Sequence, residues 1–182
     1  MNLLGVFFVS VAAAGSPEQP SSVGPLPAMD VSRKSPIGWT DAHNVAYGLP
    51  LVDGGPQVPK DSAVAFLDVA SDEFLCAQND YGQTALHLAV RQNHVPVVDL
   101  YARRRLCLNV ANNDGDTPLH YAAVFQRTTA VWTLLGAGAD PSLTNEDGDT
   151  PLDDAEAHRA KKVIGILKAA RENPHTPRQS EL

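Results

Sequence analysis

Two stretches of this chain carry the residue types of a cation loop. Asn112-Asn113-Asp114-Gly115-Asp116 and Asn145-Glu146-Asp147-Gly148-Asp149 each gather carboxylates and an amide around a glycine, the oxygen donors that calcium takes. A calcium loop with its glycine at the sixth position needs an oxygen ligand at the first. Val110 and Leu143 stand there, so the chemistry fails in both copies. His87 and His120 are potential metal ligands. Neither has a His or Cys three or four residues further on, the spacing a helix-borne zinc site uses. His43, two residues after Asp41, has the composition of a base beside a carboxylate, and the local sequence predicts a solvated turn instead. Nucleophile-elbow, zinc-protease, phosphate-loop and dinucleotide signatures do not occur. The expectation is no catalytic residue, no metal ligand, no cofactor and no small-molecule substrate. An enzyme would need chemistry in residues 16–60.

Composition narrows the classes further. With 43% hydrophobic and 19% charged residues in 182, the chain holds enough apolar material for one core plus tails. Its net charge of -7 disfavours a partner bound by phosphate neutralisation, so no nucleic acid is expected. The one basic run, Arg103-Arg104-Arg105, follows an apolar helical segment and suits a helix C-terminus, where the dipole favours cations.

The elements that position these residues come next. Leu3 to Gly15 is an apolar run with Ala12-Ala13-Ala14 near its close. It fits a signal-peptide core with an A-x-A site, and is too short for a transmembrane helix of about 20 residues. Residues 1–15 are therefore read as a signal peptide, which favours an exported or secreted protein over a cytoplasmic one. Residues 16–60 are rich in Pro, Gly and Ser and read as linker. Residues 37–49 form an aromatic-bearing island in it, expected to dock on the neighbouring unit.

Beyond residue 60 the chain is periodic. Gly82, Gly115 and Gly148 are spaced by 33, as are Thr84, Thr117 and Thr150, Leu86, Leu119 and Leu152, and Ala89, Ala122 and Ala155. A fixed period in this range marks a solenoid. Glycine permits the positive φ of a tight turn. Threonine suits a helix N-cap, and Pro118 and Pro151 suit the first helical position. Val97, Val98 and Leu100, then Val131, Leu134 and Leu135, then Val163, Ile166 and Leu167 supply a second helix per unit. Asn93, Gln126 and Arg159 stand where a glycine would ease the turn between the two helices, which should loosen those turns. Cys76 and Cys107 lie about one unit apart, and two cysteines make no framework. They are expected to be free, largely buried thiols.

The unit with Asp116-Thr117-Pro118-Leu119-His120-Tyr121-Ala122-Ala123 and the loop Gly136 to Asp140 resembles the ankyrin repeat. The resemblance implies an all-α solenoid of stacked helix-turn-helix units with β-hairpin loops over residues 61–172. A degenerate cap would span 61–79, repeats about 80–112, 113–145 and 146–172, and a polar tail 173–182. The third unit departs from the pattern with Asp153 in place of His. The resemblance implies a non-catalytic protein–protein interaction module: an adaptor, inhibitor or accessory factor, or an exported form of one. Partners would meet the hairpin tips and the exposed side of the first helices. Carried over by position, these are Tyr81, Gln83, Asn113, Asp114, Asp116, Glu146, Asp147 and Asp149 at the tips, and Arg91, Val124, Phe125 and His158 at the helix ends. Five of the six tip positions in the last two units are acidic, which favours a protein partner with a basic surface.

Overall fold

The computed structural model describes residues 38, 40–48, 64–65 and 67–172. The apolar run at 1–15, most of 16–60, the edges of the aromatic island and the tail at 173–182 lie outside the described residues. No strand occurs among the described residues, and no helix among them is long and apolar enough to cross a membrane.

The helices run α1 (Asp41–Tyr47), α2 (Asp72–Leu75), α3 (Ala85–Arg91), α4 (Val95–Arg104), α5 (Pro118–Val124), α6 (Thr128–Ala137), α7 (Pro151–Ala157) and α8 (Lys161–Glu172). Short helices α1, α3, α5 and α7 pack in sequence as one layer, and α4, α6 and α8 pack in sequence as a second. Each short helix from α3 onward packs on the longer one that follows it. Isolated helices of this length are marginal in water, so tertiary burial must hold them. Ala85, Ala89, Ala122 and Ala155 are fully buried between layers, where a larger side chain would push the helices apart. Leu86, Leu88, Leu100, Leu119 and Leu134 fill the remaining core at 0–1% exposure.

One device starts three of the short helices. Thr84 N–H donates to His87 Nδ1 at 3.1 Å, and Thr117 N–H does the same to His120 at 3.1 Å. Accepting at Nδ1 leaves the proton on Nε2. His87 Nε2 donates it to Asp116 O at 3.1 Å, and His120 Nε2 to Asp149 O at 3.1 Å. Each histidine thus ties its own helix start to the turn of the next unit. In the last unit Asp153 takes over the first half of this role, accepting from Thr150 N–H at 2.9 Å.

The same device appears at α1, which corrects the expectation of a solvated turn at His43. Thr40 N–H donates to His43 Nδ1 at 3.1 Å, and His43 Nε2 donates to Gln83 O at 2.8 Å. His43 is therefore no solvated turn residue; it is fully buried. Ala42, Val45 and Ala46 are buried with it, and α1 packs on α3. The expected docking takes the form of a further short helix in the first layer.

Asparagine closes each turn. Asn79 Oδ1 accepts from Tyr81 and Gln83 N–H at 3.0 and 2.9 Å, and Asn112 Oδ1 from Asp114 and Asp116 N–H at 2.9 and 2.8 Å. In the first of the two apparent calcium loops these contacts give the Asn112 amide oxygen a structural occupation. Gly82 and Gly115 hold φ of +71° and +81°, and a Cβ on either would collide with the backbone of the following turn. The turns are hydrogen-bonded to one another: Asn113 N–H donates to Tyr81 O and Glu146 N–H to Asp114 O, both at 3.0 Å.

Between paired helices, Asn93, Gln126 and Arg159 hold φ of 54–56°. His94, Arg127 and Ala160 N–H then reach back to Ala89, Ala122 and Ala155 O at 2.8 Å. This is the carbonyl-satisfying helix end that glycine usually makes. The turns keep the glycine geometry without glycine, at the steric cost of a left-handed side-chain-bearing residue.

The cysteines correct a second expectation. Cys76 and Cys107 are joined in a disulfide, with Cα atoms 5.6 Å apart. Their separation is 31 residues rather than 33, so they occupy different slots of adjacent units that face one another. The arginine run behaves as read. Arg104 ends α4 and its guanidinium contacts Asp72 and the Ala70 carbonyl.

Candidate interaction surface

The hydrogen-bonded turns bring the expected tip residues into one line. Tyr81, Asn113, Asp114, Glu146, Asp147 and Asp149 are exposed along it, while Gln83 and Asp116 are half-buried. Asp116 is partly occupied, since its Oδ1 accepts from Asn145 Nδ2 at 3.1 Å. Asn113 Nδ2 donates to Asp80 O at 2.9 Å. Asp114, Glu146 and Asp147 form an exposed line of carboxylates, of which Asp114 accepts from Asn112 Nδ2 at 3.4 Å.

The helix-end residues form a second group beside this line. Phe125 is half-buried and caps α5. Its ring lies 5.8 Å from that of Tyr121, and the Arg91 guanidinium carbon lies 5.5 Å from its centroid. Such a stack of cation on ring contributes about 0.5–1 kcal/mol at an exposed site. Val124 is half-buried, whereas Arg91 and His158 are exposed. His158 Nδ1 donates to Asp154 O at 2.9 Å.

Two residues complete this surface that the sequence reading passed over. Tyr121 joins the groups: Gln83 Nε2 donates to its Oη at 2.6 Å, and its ring meets His87 edge-on at 5.2 Å. Asp154 occupies the same slot one unit later. Burial pushes its carboxyl pKa up, and the neighbouring charges of Asp116 and Asp149 add to the rise while His120 and His158 oppose it. Its Oδ2 is buried with no hydrogen-bond partner among the described residues. The signal was available, because Tyr121 lies four residues before Phe125 and 33 before Asp154. A side chain at i and i+4 shares a helix face.

A groove of about 580 Å³ lies between the second helices, lined by Pro96, Asp99, Ala102, Arg103, Thr133 and Gly136 among others. None of the expected site residues lines it.

Residues 60–145 match the family model for ankyrin repeats, in 3 copies. This segment is an ankyrin-repeat domain. Ankyrin repeats generally mediate protein–protein interaction, and domains of this kind are typically non-catalytic. The nuclear factor NF-kappa-B p105 subunit of Gallus gallus is 37% identical over 81 residues, 44% of this chain. A calmodulin-binding transcription activator of Oryza sativa subsp. japonica is 38% identical over 66 residues, 36% of this chain. The human BCL-6 corepressor-like protein 1 is 32% identical over 66 residues, again 36% of this chain. The match spans only 4–8% of these three relatives' own length. The likeness is therefore one of repeats.

Proposed function

We propose that this protein is a non-catalytic binding module that holds a basic segment of another protein along its turns and first-helix ends. The observation that carries this reading is the line of hydrogen-bonded turns. It sets the carboxylates of Asp114, Glu146, Asp147 and Asp149 beside the Gln83–Tyr121–Phe125–Arg91 chain of contacts. Carboxylates in solvent steer a basic partner and set its register, while a half-buried aromatic supplies contact area. Fold requirements explain the asparagines, glycines, threonines and histidines of this surface. They leave the exposed carboxylates of Glu146 and Asp147 and the outer part of the Phe125 ring without a structural task of comparable weight.

The test is an affinity capture with the full chain, read by mass spectrometry. A parallel capture uses Asp114→Lys with Asp147→Lys, and another uses Phe125→Ala. A protein enriched by the wild type and lost from both variants supports the reading. Equal recovery on all three would place the partner on another face.

A further inference from the structure

The slots that carry the disulfide recur one unit later. Cys76 and Cys107 correspond to Asn109 and Asp140, each 33 residues further on. There Asp140 N–H donates to Asn109 Oδ1 at 2.9 Å, again across 31 residues. The stack therefore brings these two positions together at successive junctions, and at the first it fills them with sulfur. Cys107 is 9% exposed and holds a left-handed φ of 54°, a conformation a β-carbon-bearing residue adopts at a cost. Cys76 caps α2, a helix of only 4 residues. The same junction carries the Arg104–Asp72 ion pair and a hydrogen bond from Tyr101 Oη to Leu75 O at 3.1 Å. Its ties are thus concentrated on the segment least able to hold itself.

We infer that this protein works in an oxidising compartment, with Cys76–Cys107 as a structural cystine that fastens the α2 segment to the first full repeat. Structural disulfides form and persist in such compartments and are rare where thiols are kept reduced. In forming the bridge, two thiols lose two protons and pass two electrons to the disulfide of a thiol–disulfide oxidoreductase, which leaves as a dithiol. The apolar run Leu3 to Gly15 with its Ala12-Ala13-Ala14 segment suits an export route to such a compartment. The inference stands apart from the proposed partner, since neither cysteine belongs to the turn line or to the Phe125 group.

The experiment produces the full chain in a secreting host and in a reducing cytosol. Alkylation without reductant, followed by mass spectrometry, counts free thiols. The expected result is a secreted protein with no alkylatable thiol, melting about 10 °C above its reduced form. Cys76→Ser with Cys107→Ser should melt with the reduced form in either redox state, which assigns the difference to the bridge. Free thiols in the secreted protein, or equal melting of oxidised and reduced protein, would overturn the cystine. Retention of the full chain inside secreting cells would overturn the compartment.

Discussion

Arg91 covers the ring of Phe125, its guanidinium carbon 5.5 Å from the centroid, so two adjacent first helices meet through a cation and an aromatic face. Phe125 therefore has both a packing role and a half-exposed surface. Phe125→Ala should speed dissociation of the captured partner, with a cost of at least about 2 kcal/mol if the ring is an anchor. The melting temperature should fall by only a few degrees. Surface plasmon resonance beside a thermal melt separates the two effects. Global unfolding would show that packing is the whole of its role.

Charge reversal at Asp114 and Asp147 should act on a different rate. Exposed rim charges steer association, and salt screens them with a Debye length of about 8 Å at physiological ionic strength. Asp114→Lys with Asp147→Lys is expected to slow association, most at low salt, with little change in dissociation. An unchanged association rate at both salt concentrations would remove the basic-partner reading.

Leu119 belongs to the middle unit and is 1% exposed between α5 and its neighbours. Leu119→Ala should cost about 2–5 kcal/mol, as truncation of a buried leucine does. Urea denaturation checks this, and a midpoint near wild type would contradict the packing described.

His87 gives the protein a pH dependence. Burial lowers its pKa to about 4 from 6.5, aided by His43 and His120 and opposed by its bond to Asp116 O. The unfolded chain binds this proton from pH 6.5 downward and the folded chain only from about 4. Stability from His87 is thus complete above 6.5 and is lost as the pH falls towards 4. The loss totals roughly 3 kcal/mol at about 1.4 per pKa unit. Denaturation series at pH 7.5 and 5.0 should differ by about 2 kcal/mol, the part of this loss that falls above pH 5, and a flat profile would mean that the fold does not lower the His87 pKa.

The left-handed turns offer a gain. Arg159 holds φ 54° with its side chain exposed. Arg159→Gly should raise stability by about 0.5–1 kcal/mol by removing the Cβ clash. A lowered urea midpoint would mean that the arginine side chain contributes more than its strain removes.

What was legible in the sequence follows from what the backbone demands. Gly82, Thr84, His87 and Leu86 each answer a local requirement that recurs with every unit, so a search at an interval of 33 finds them. The same search passes over Gly38, Thr40 and His43. They answer the same requirement but precede Gly82, Thr84 and His87 by 44 residues. The disulfide escaped for a related reason. Its partners sit 31 apart, and only the Asn109–Asp140 bond reveals that this offset joins facing slots. Tyr121 and Asp154 share a slot that reads Leu88 in the unit before, so a search for repeated residues passes over it and only the offset of four from Phe125 pointed to Tyr121.

The histidine bonds have a consequence for whatever the turns meet. Because His43, His87 and His120 each brace the turn of the next unit through a buried ring, the turns behave as graduations on a rigid rule. A ligand that touches two of them is measured as well as attracted. Its contacting residues must match the pitch of the helices beneath, and a segment with the right charges at the wrong spacing gains only one mark at a time. Selectivity on such a surface resides in distance, and a single loosened brace would blur the scale for every ligand that spans it.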